Sequence, residues 1–121
     1  MTEISNSKQY DLEERTYKFA KFCRDFIMKL PKTIANIEYG KQLIRASGSQ
    51  AANYIEANES LSKKDFAHRV RICRKEAKES CLWLRLIEVN NNKELLDEKE
   101  KLSNEGTQLR KIFSAILEKS I

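Results

Sequence analysis

The chain is poor in residues that interrupt helices, since its 121 residues include only three glycines and one proline. A sheet protein of this length needs many turns, and turns are where glycine and proline concentrate. Lysine, glutamate and leucine, which favour helices, are frequent instead. The composition therefore predicts an all-α protein, and 121 residues suffice for one domain with a hydrophobic core.

Membrane segments and catalytic motifs are also missing. No apolar run approaches the roughly 20 residues that a membrane helix needs, and residues 1–10 lack the apolar core of a signal peptide. The single histidine, His68, cannot supply the two Glu-x-x-His pairs of a di-metal bundle, nor act as base for the serines and cysteines. We therefore predict no enzyme, no catalytic residue, no metal and no other cofactor. Three cysteines that fit no metal spacing predict reduced thiols and a cytoplasmic location without membrane contact.

Apolar spacing divides the chain into four helices. Residues 1–10 have no periodicity and are predicted to form a flexible tail. The remainder, residues 11–121, is predicted to contain helices over about 11–30, 34–59, 62–89 and 93–119. Long amphipathic helices with short connections predict an antiparallel, up-down-up-down four-helix bundle.

These boundaries rest on caps and on one heptad stripe. Asp11 is the expected N-cap of the first helix, Pro31 should end that helix, and Ser62 with Asp65 resembles a capping box. Asn90–Asn92 is the clearest turn. The first helix has a single bundle-facing stripe with alternating spacings of four and three residues, formed by Leu12, Thr16, Phe19, Cys23, Phe26 and Leu30.

The second helix has an unusually wide apolar arc. One face carries Ile37, Ile44, Gly48, Ala51 and Ile55, and an adjoining face carries Leu43, Ser47, Tyr54 and Leu61. Four helices of one chain cannot easily cover so wide an arc, so a partner chain is expected to cover part of it. The narrow remaining arc and the flank of the third helix are expected to form a structural polar network or an oligomer interface, within or between chains, from Arg45, Ser49, Asn53, Glu56, Glu76 and Glu79.

Positive charge is concentrated on the third helix. The net charge of the chain is +5, and one face of this helix carries Lys64, Arg71, Arg74, Lys75 and Lys78. Such a face suits the phosphates of a nucleic acid, although an ordinary solvated helix face would have the same pattern. No aromatic residue interleaves with these cations, so the face offers no platform for stacking on unpaired bases.

Four segments together resemble a known family: residues 42–49, 52–57, 64–66 and 75–84. They are similar to the bacterial four-helix-bundle proteins encoded in intervening sequences of 23S ribosomal RNA genes, also called S23 ribosomal proteins. The resemblance covers about residues 12–86, whereas the fourth helix agrees only in length and pattern. Cys81 stands where this pattern commonly has an aromatic residue.

The resemblance implies a homopentameric four-helix bundle with no known catalytic activity. Related accessory proteins of diversity-generating retroelements are similar pentamers that bind nucleic acid and a reverse transcriptase. We therefore expect a non-enzymatic homo-oligomer that binds RNA, or DNA, electrostatically through the basic face of the third helix. The alternative is a protein-interaction scaffold or accessory subunit that binds a protein partner without direct nucleic-acid contact.

Overall fold

The structure, a computed structural model, describes residues 2–119 and the side chains of residues 11–119. Helices α1 to α4 occupy Thr2–Met28, Ile34–Asn58, Lys63–Leu86 and Lys93–Lys119, and the described residues contain no strand. Helix α1 packs on α2 and α4, and α3 also packs on α2 and α4, so α1 and α3 are diagonal to each other. The all-α four-helix bundle predicted from the sequence is confirmed.

Contacts between neighbouring helices show that they run antiparallel. Arg15 pairs with Glu105 at 2.7 Å and Lys29 pairs with Glu98 at 2.6 Å, so the residue numbers fall along α4 as they rise along α1. The same inverse order holds between α2 and α3 and between α3 and α4. Because the connections are short, the topology is up-down-up-down.

Helix α1 starts earlier than predicted. It begins at Thr2, and not at the expected N-cap Asp11. Residues 2–10 contain neither glycine nor proline, so this segment has no residue that would strongly disfavour a helix. The expected flexibility of residues 1–10 stays a prediction, and their side chains lie outside the described residues.

Side-chain caps mark the starts of the other three helices. Thr33 Oγ1 accepts a hydrogen bond from the backbone N–H of Asn36 at 3.1 Å, and Ser62 Oγ accepts one from Asp65 at 3.1 Å. The Oδ1 atom of Asn92 caps α4 in the same way. Each cap satisfies an N–H group that has no partner within the first helical turn.

Helix α3 ends at Leu86, before the predicted end at about residue 89. Ile87 has an extended backbone, and Asn90 has a φ of 57°, in the left-handed region that asparagine tolerates. Ile87 and Val89 are both buried. The extended segment therefore lets two apolar side chains reach the core after the helix has ended.

The core is formed by one stripe from each helix. Every residue of the predicted α1 stripe is buried, from Leu12 to Leu30. Helix α2 differs from the prediction, because its buried face is centred on Asn36, Gly40, Leu43, Ser47, Gln50 and Tyr54. Gly40 approaches α1 closely, since a Cβ atom there would lie 3.0 Å from Cγ2 of Ile27.

The isoleucine face of α2 lies outside the core of the chain. The exposed fractions are 46% for Ile37, 47% for Ile44 and 49% for Ile55, and Gly48 beside them is exposed. A single chain therefore covers the adjoining face of α2 and leaves most of the isoleucine face open. The expectation that a partner chain covers this face stays a prediction.

Candidate functional site

The five predicted phosphate-binding cations form a row along α3, which we call the basic row: Lys64, Arg71, Arg74, Lys75 and Lys78. Arg74 is half-buried and the other four are exposed. Their spacing places them on one side of the helix, facing outward and toward α4. At about 1.5 Å per residue, the row extends roughly 21 Å from Lys64 to Lys78.

Four of these cations share one shallow cleft. Arg71, Arg74, Lys75 and Lys78 line a cleft of about 300 Å³ together with Glu79. The Nζ atom of Lys75 lies 4.0 Å from Oε2 of Glu79, and the exposed fractions of the two side chains are 68% and 43%, so this pair is weak. Arg71, Arg74 and Lys78 form no ion pair with any residue that the structure describes, which leaves their charge available to an anion.

The thiol of Cys81, on α3, is influenced by two residues of α4. Burial raises the pKa of the Cys81 thiol, while a hydrogen bond with Thr107 and the nearby Arg110 act in the opposite direction. Arg110 therefore lies close to Cys81, which is one turn of α3 from Lys78.

A polar network joins α2 and α3, and it includes three of the six residues that the sequence singled out. Asn53 Nδ2 donates to the backbone oxygen of Ser49 at 2.9 Å and to its Oγ at 3.1 Å. Arg69 Nη1 donates to Asn53 Oδ1 at 2.9 Å, and Ser49 Oγ donates to Glu76 Oε2 at 3.4 Å. All four residues are half-buried, so the network joins two helices where it is partly shielded from solvent.

Three predicted members lie outside this network. Arg45 and Glu56 are exposed on the outer side of α2, and the half-buried Glu79 faces Lys75. Arg69 is the member that sequence reasoning missed. Its spacing of seven residues from Glu76 places both on the same side of α3, which is the signal that could have identified it.

A second junction joins the two connections at one end of the bundle. The buried Asn36 donates through Nδ2 to the backbone oxygens of Pro31 at 3.0 Å and Glu88 at 2.8 Å. Its Oδ1 accepts from the backbone N–H of Glu88 at 3.0 Å. The α1–α2 and α3–α4 connections therefore lie together, and their register is set by one side chain.

The described residues offer little for catalysis. They contain no cluster of three or more His, Cys, Asp or Glu side chains that could hold a metal. Burial raises the pKa of Cys23 and of Cys73 to about 12, so both thiols are protonated and unreactive at neutral pH. Over residues 2–119, no helix is both long enough and apolar enough to span a membrane.

Comparison with known proteins identifies similar chains. The sequence model of the 23S rRNA-intervening sequence protein family matches residues 8–115. One similar protein with a crystal structure is a protein of unknown function from the S23 ribosomal protein family, from Bacteroides thetaiotaomicron. Its sequence is 26% identical to this chain, and the two structures superpose with a TM-score of 0.74. That comparison covers 88% of this chain and 97% of the other. No curated protein sequence matches this chain.

Proposed function

The chain belongs to the 23S rRNA-intervening sequence protein family, and from that premise we propose that it is a non-enzymatic homo-oligomer that binds RNA electrostatically through the basic row. The observation that carries this proposal is the cleft in which four cations of α3 meet a single acid. Three of those cations have no ionic partner among the described residues, so their charges can pair with those of an external polyanion.

Phosphates are the chemistry that the row suits. Cations in a line of roughly 21 Å can contact several phosphates along one strand of a nucleic acid. The row contains no aromatic side chain, and the exposed aromatic residues Tyr17 and Phe22 lie on α1, diagonal to α3. The row therefore offers unpaired bases no Phe, Tyr or Trp side chain to stack on, which favours the backbone of duplex or structured RNA.

Salt dependence of RNA binding tests the proposal. Fluorescence anisotropy with a labelled RNA duplex should give a log Kd that rises linearly with log salt concentration. The variant Arg71→Gln/Lys78→Gln removes two exposed cations of the row and should bind more weakly. Its slope should be shallower by about one unit for each phosphate that the variant no longer neutralises.

A matched control removes the same charge elsewhere. Lys18→Gln/Lys21→Gln alters two exposed cations of α1, on the helix diagonal to α3, and should leave the slope unchanged. Equal weakening of binding by the two variants would mean that only net charge matters. Absence of binding by the wild type at low salt would refute the proposed RNA function itself.

Homo-oligomerisation is the second part of the proposal, and the pentamer is the form that the family resemblance implies. It is supported by α2, which exposes Ile37, Ile44 and Ile55 while it buries Ser47 and Gln50. Native mass spectrometry at micromolar concentration should give the mass of five chains. A monomeric mass under these conditions would contradict the assembly.

The alternative of a protein-interaction scaffold makes a different prediction. Exposed apolar side chains on α3 and α4, such as Leu82 and Leu96, are the observation that favours protein contacts. A scaffold should retain a specific protein partner after complete nuclease treatment, and its partner binding should not change in Arg71→Gln/Lys78→Gln. RNA binding that responds to this variant, with no nuclease-resistant partner, would reject the alternative.

A further inference from the structure

Two completely buried side chains in the core have polar atoms without a partner. They are Gln50 of α2 and Ser80 of α3. Neither Nε2 nor Oε1 of Gln50, nor Oγ of Ser80, forms a hydrogen bond within the part of the chain that the structure describes. Such groups destabilise a folded protein, because burial removes their hydrogen bonds to solvent and nothing replaces them. The half-buried polar network between α2 and α3 includes neither residue.

The register of α2 and α3 directs these two side chains towards one level of the bundle. Cys73 Sγ donates to the backbone oxygen of Gln50 at 3.4 Å, so these two residues face each other. Because the helices are antiparallel, the facing pair one turn further on is Ser47 and Ala77. Helical side chains lean towards the N-terminus of their own helix, so Gln50 leans towards Ser47 and Ser80 leans towards Ala77. The polar ends of Gln50 and Ser80 therefore approach each other at this level.

The distance between the two side chains suits a bridging molecule. Ser80 lies seven residues beyond Cys73, which is roughly 10 Å along the bundle at about 1.5 Å per residue. The long side chain of Gln50 covers part of this height, and a water molecule with two hydrogen bonds bridges about 5–6 Å. Ser47 and Ala77 are buried and small, so neither places a bulky group between the two polar ends.

Water is the ligand that this set of atoms fits. The Gln50 amide has donors on Nε2 and an acceptor on Oε1, and the Ser80 hydroxyl can donate or accept. A metal ion would bind only the oxygens and an anion only the donors, and every buried polar residue of the described chain is uncharged, so neither charge would be balanced. We propose that a buried water molecule joins the side-chain amide of Gln50 to the hydroxyl of Ser80.

Ser47 offers this water a third partner. Its Oγ donates to the backbone oxygen of Ile44 over a long 3.4 Å, and its lone pairs remain able to accept a hydrogen bond. Buried waters in proteins typically make about three hydrogen bonds to polar groups that otherwise lack partners. Gln50, Ser80 and Ser47 together provide that number.

The bridge would help to fix how α2 is turned within the bundle. Ile37 and Ile44 make the opposite face of this helix suited to burial as well. A buried amide is tolerated only where its partners are, so the water favours the orientation in which Gln50 faces Ser80. This role depends neither on the basic row nor on assembly, and it stands or falls separately from the proposed function.

A crystal structure that shows ordered water molecules is the direct test. It should contain a water within roughly 2.7–3.2 Å of the Gln50 amide and of Ser80 Oγ. A dry amide, or a water that reaches only one of the two side chains, would overturn the inference. This measurement uses the wild-type protein and so does not depend on any variant folding.

Thermal unfolding of variants tests the bridge in solution. Ser80→Ala removes one partner of the water and should lower Tm by about 2–4 °C. In the background of Gln50→Leu, which removes the amide, Ser80→Ala should have almost no effect, because the hydroxyl no longer completes a bridge. All melts are recorded by circular dichroism at one protein concentration.

Thr16→Val is the matched control. Thr16 is also completely buried, but its Oγ1 donates to the backbone oxygen of Glu13 at 2.9 Å within α1 and needs no water. Its effect on Tm should be the same with and without Gln50→Leu. Equal effects of Ser80→Ala in the two backgrounds would show that Gln50 and Ser80 are independent and would overturn the inference.

Discussion

Two glycines inside helices should respond in opposite directions to the same substitution. Gly106 is buried in α4, and a Cβ atom there would lie 2.9 Å from Sγ of Cys81 and 3.4 Å from Cζ of Phe19. Gly48 lies in α2, and apart from Gly48 itself, its two chain neighbours and the adjoining backbone of α2, no described atom comes within 4 Å of the position that its Cβ would take. Alanine is therefore crowded at the first position and free at the second.

The magnitudes follow from two competing terms. Replacing glycine by alanine inside a helix stabilises it by about 1 kcal/mol. Overpacking of a core costs about 1–3 kcal/mol, because neighbouring side chains leave their preferred positions. Gly106→Ala should therefore lower the free energy of unfolding by about 1 kcal/mol, and Gly48→Ala should raise it by about 1 kcal/mol. For a domain of this size, each change corresponds to a shift in Tm of about 4 °C.

The measurement is urea unfolding followed by circular dichroism, repeated at several protein concentrations because assembly adds concentration-dependent stability. A double-mutant cycle with Cys81→Ala isolates the crowded contact. Once the sulfur is removed, Gly106→Ala should no longer have most of its destabilising effect. If Gly106→Ala stabilises the protein as much as Gly48→Ala does, the close approach of α3 and α4 at this position is wrong.

Three further changes have defined outcomes. Asn36→Ala removes three hydrogen bonds at the junction of two connections and should lower the free energy of unfolding by about 2–3 kcal/mol in urea titrations. Cys23 and Cys73 have pKa values raised from 9.0 to about 12, so the unfolded chain loses these protons first and stability should fall as pH rises from 9 to 12. Replacing both cysteines with alanine should make the free energy of unfolding fall less steeply between pH 9 and pH 12. An equally steep fall in this variant would contradict the raised pKa values of the two thiols. Removing the partly exposed Arg15–Glu105 pair by Glu105→Gln should cost about 0.2–1 kcal/mol, and less at high salt.

The parts of the fold that the sequence predicted are those set by local periodicity. The α1 stripe from Leu12 to Leu30 was correct because one helix face buried against the core produces a regular spacing. The end of α3 was missed because a distant residue stabilises it. The backbone of Glu88 leaves the helix and is held by Asn36, which is 52 residues away in the chain. No spacing within α3 encodes that interaction.

In the candidate site, too, features set by spacing within one helix were predictable, and features set by packing between helices were not. The basic row was predictable because all its members share one helix. In the polar network, Ser49 is hydrogen-bonded to Asn53 and to Glu76, three residues that the sequence also singled out. Arg45 lies outside this network on the exposed side of α2, and its place in an oligomer interface stays a prediction. A helical wheel gives the angle of a side chain but not the neighbour that it meets.

The orientation of helix α2 is harder to predict from the sequence, because two of its faces are suited to burial. Burying an isoleucine typically stabilises a protein by about 1.5–3 kcal/mol, so a single chain would gain by rotating Ile37 and Ile44 into its core. The chain instead buries Asn36, which has three hydrogen bonds, and Gly40, which lets α2 approach α1 closely. The fit of Gly40 and the hydrogen bonds of Asn36 favour this inner face, although the amide of Gln50 on the same face is buried without a hydrogen-bond partner among the described residues. The apolar outer face remains for other contacts. A second copy of the chain packed on Ile37, Ile44 and Ile55 would account for both sides of this helix.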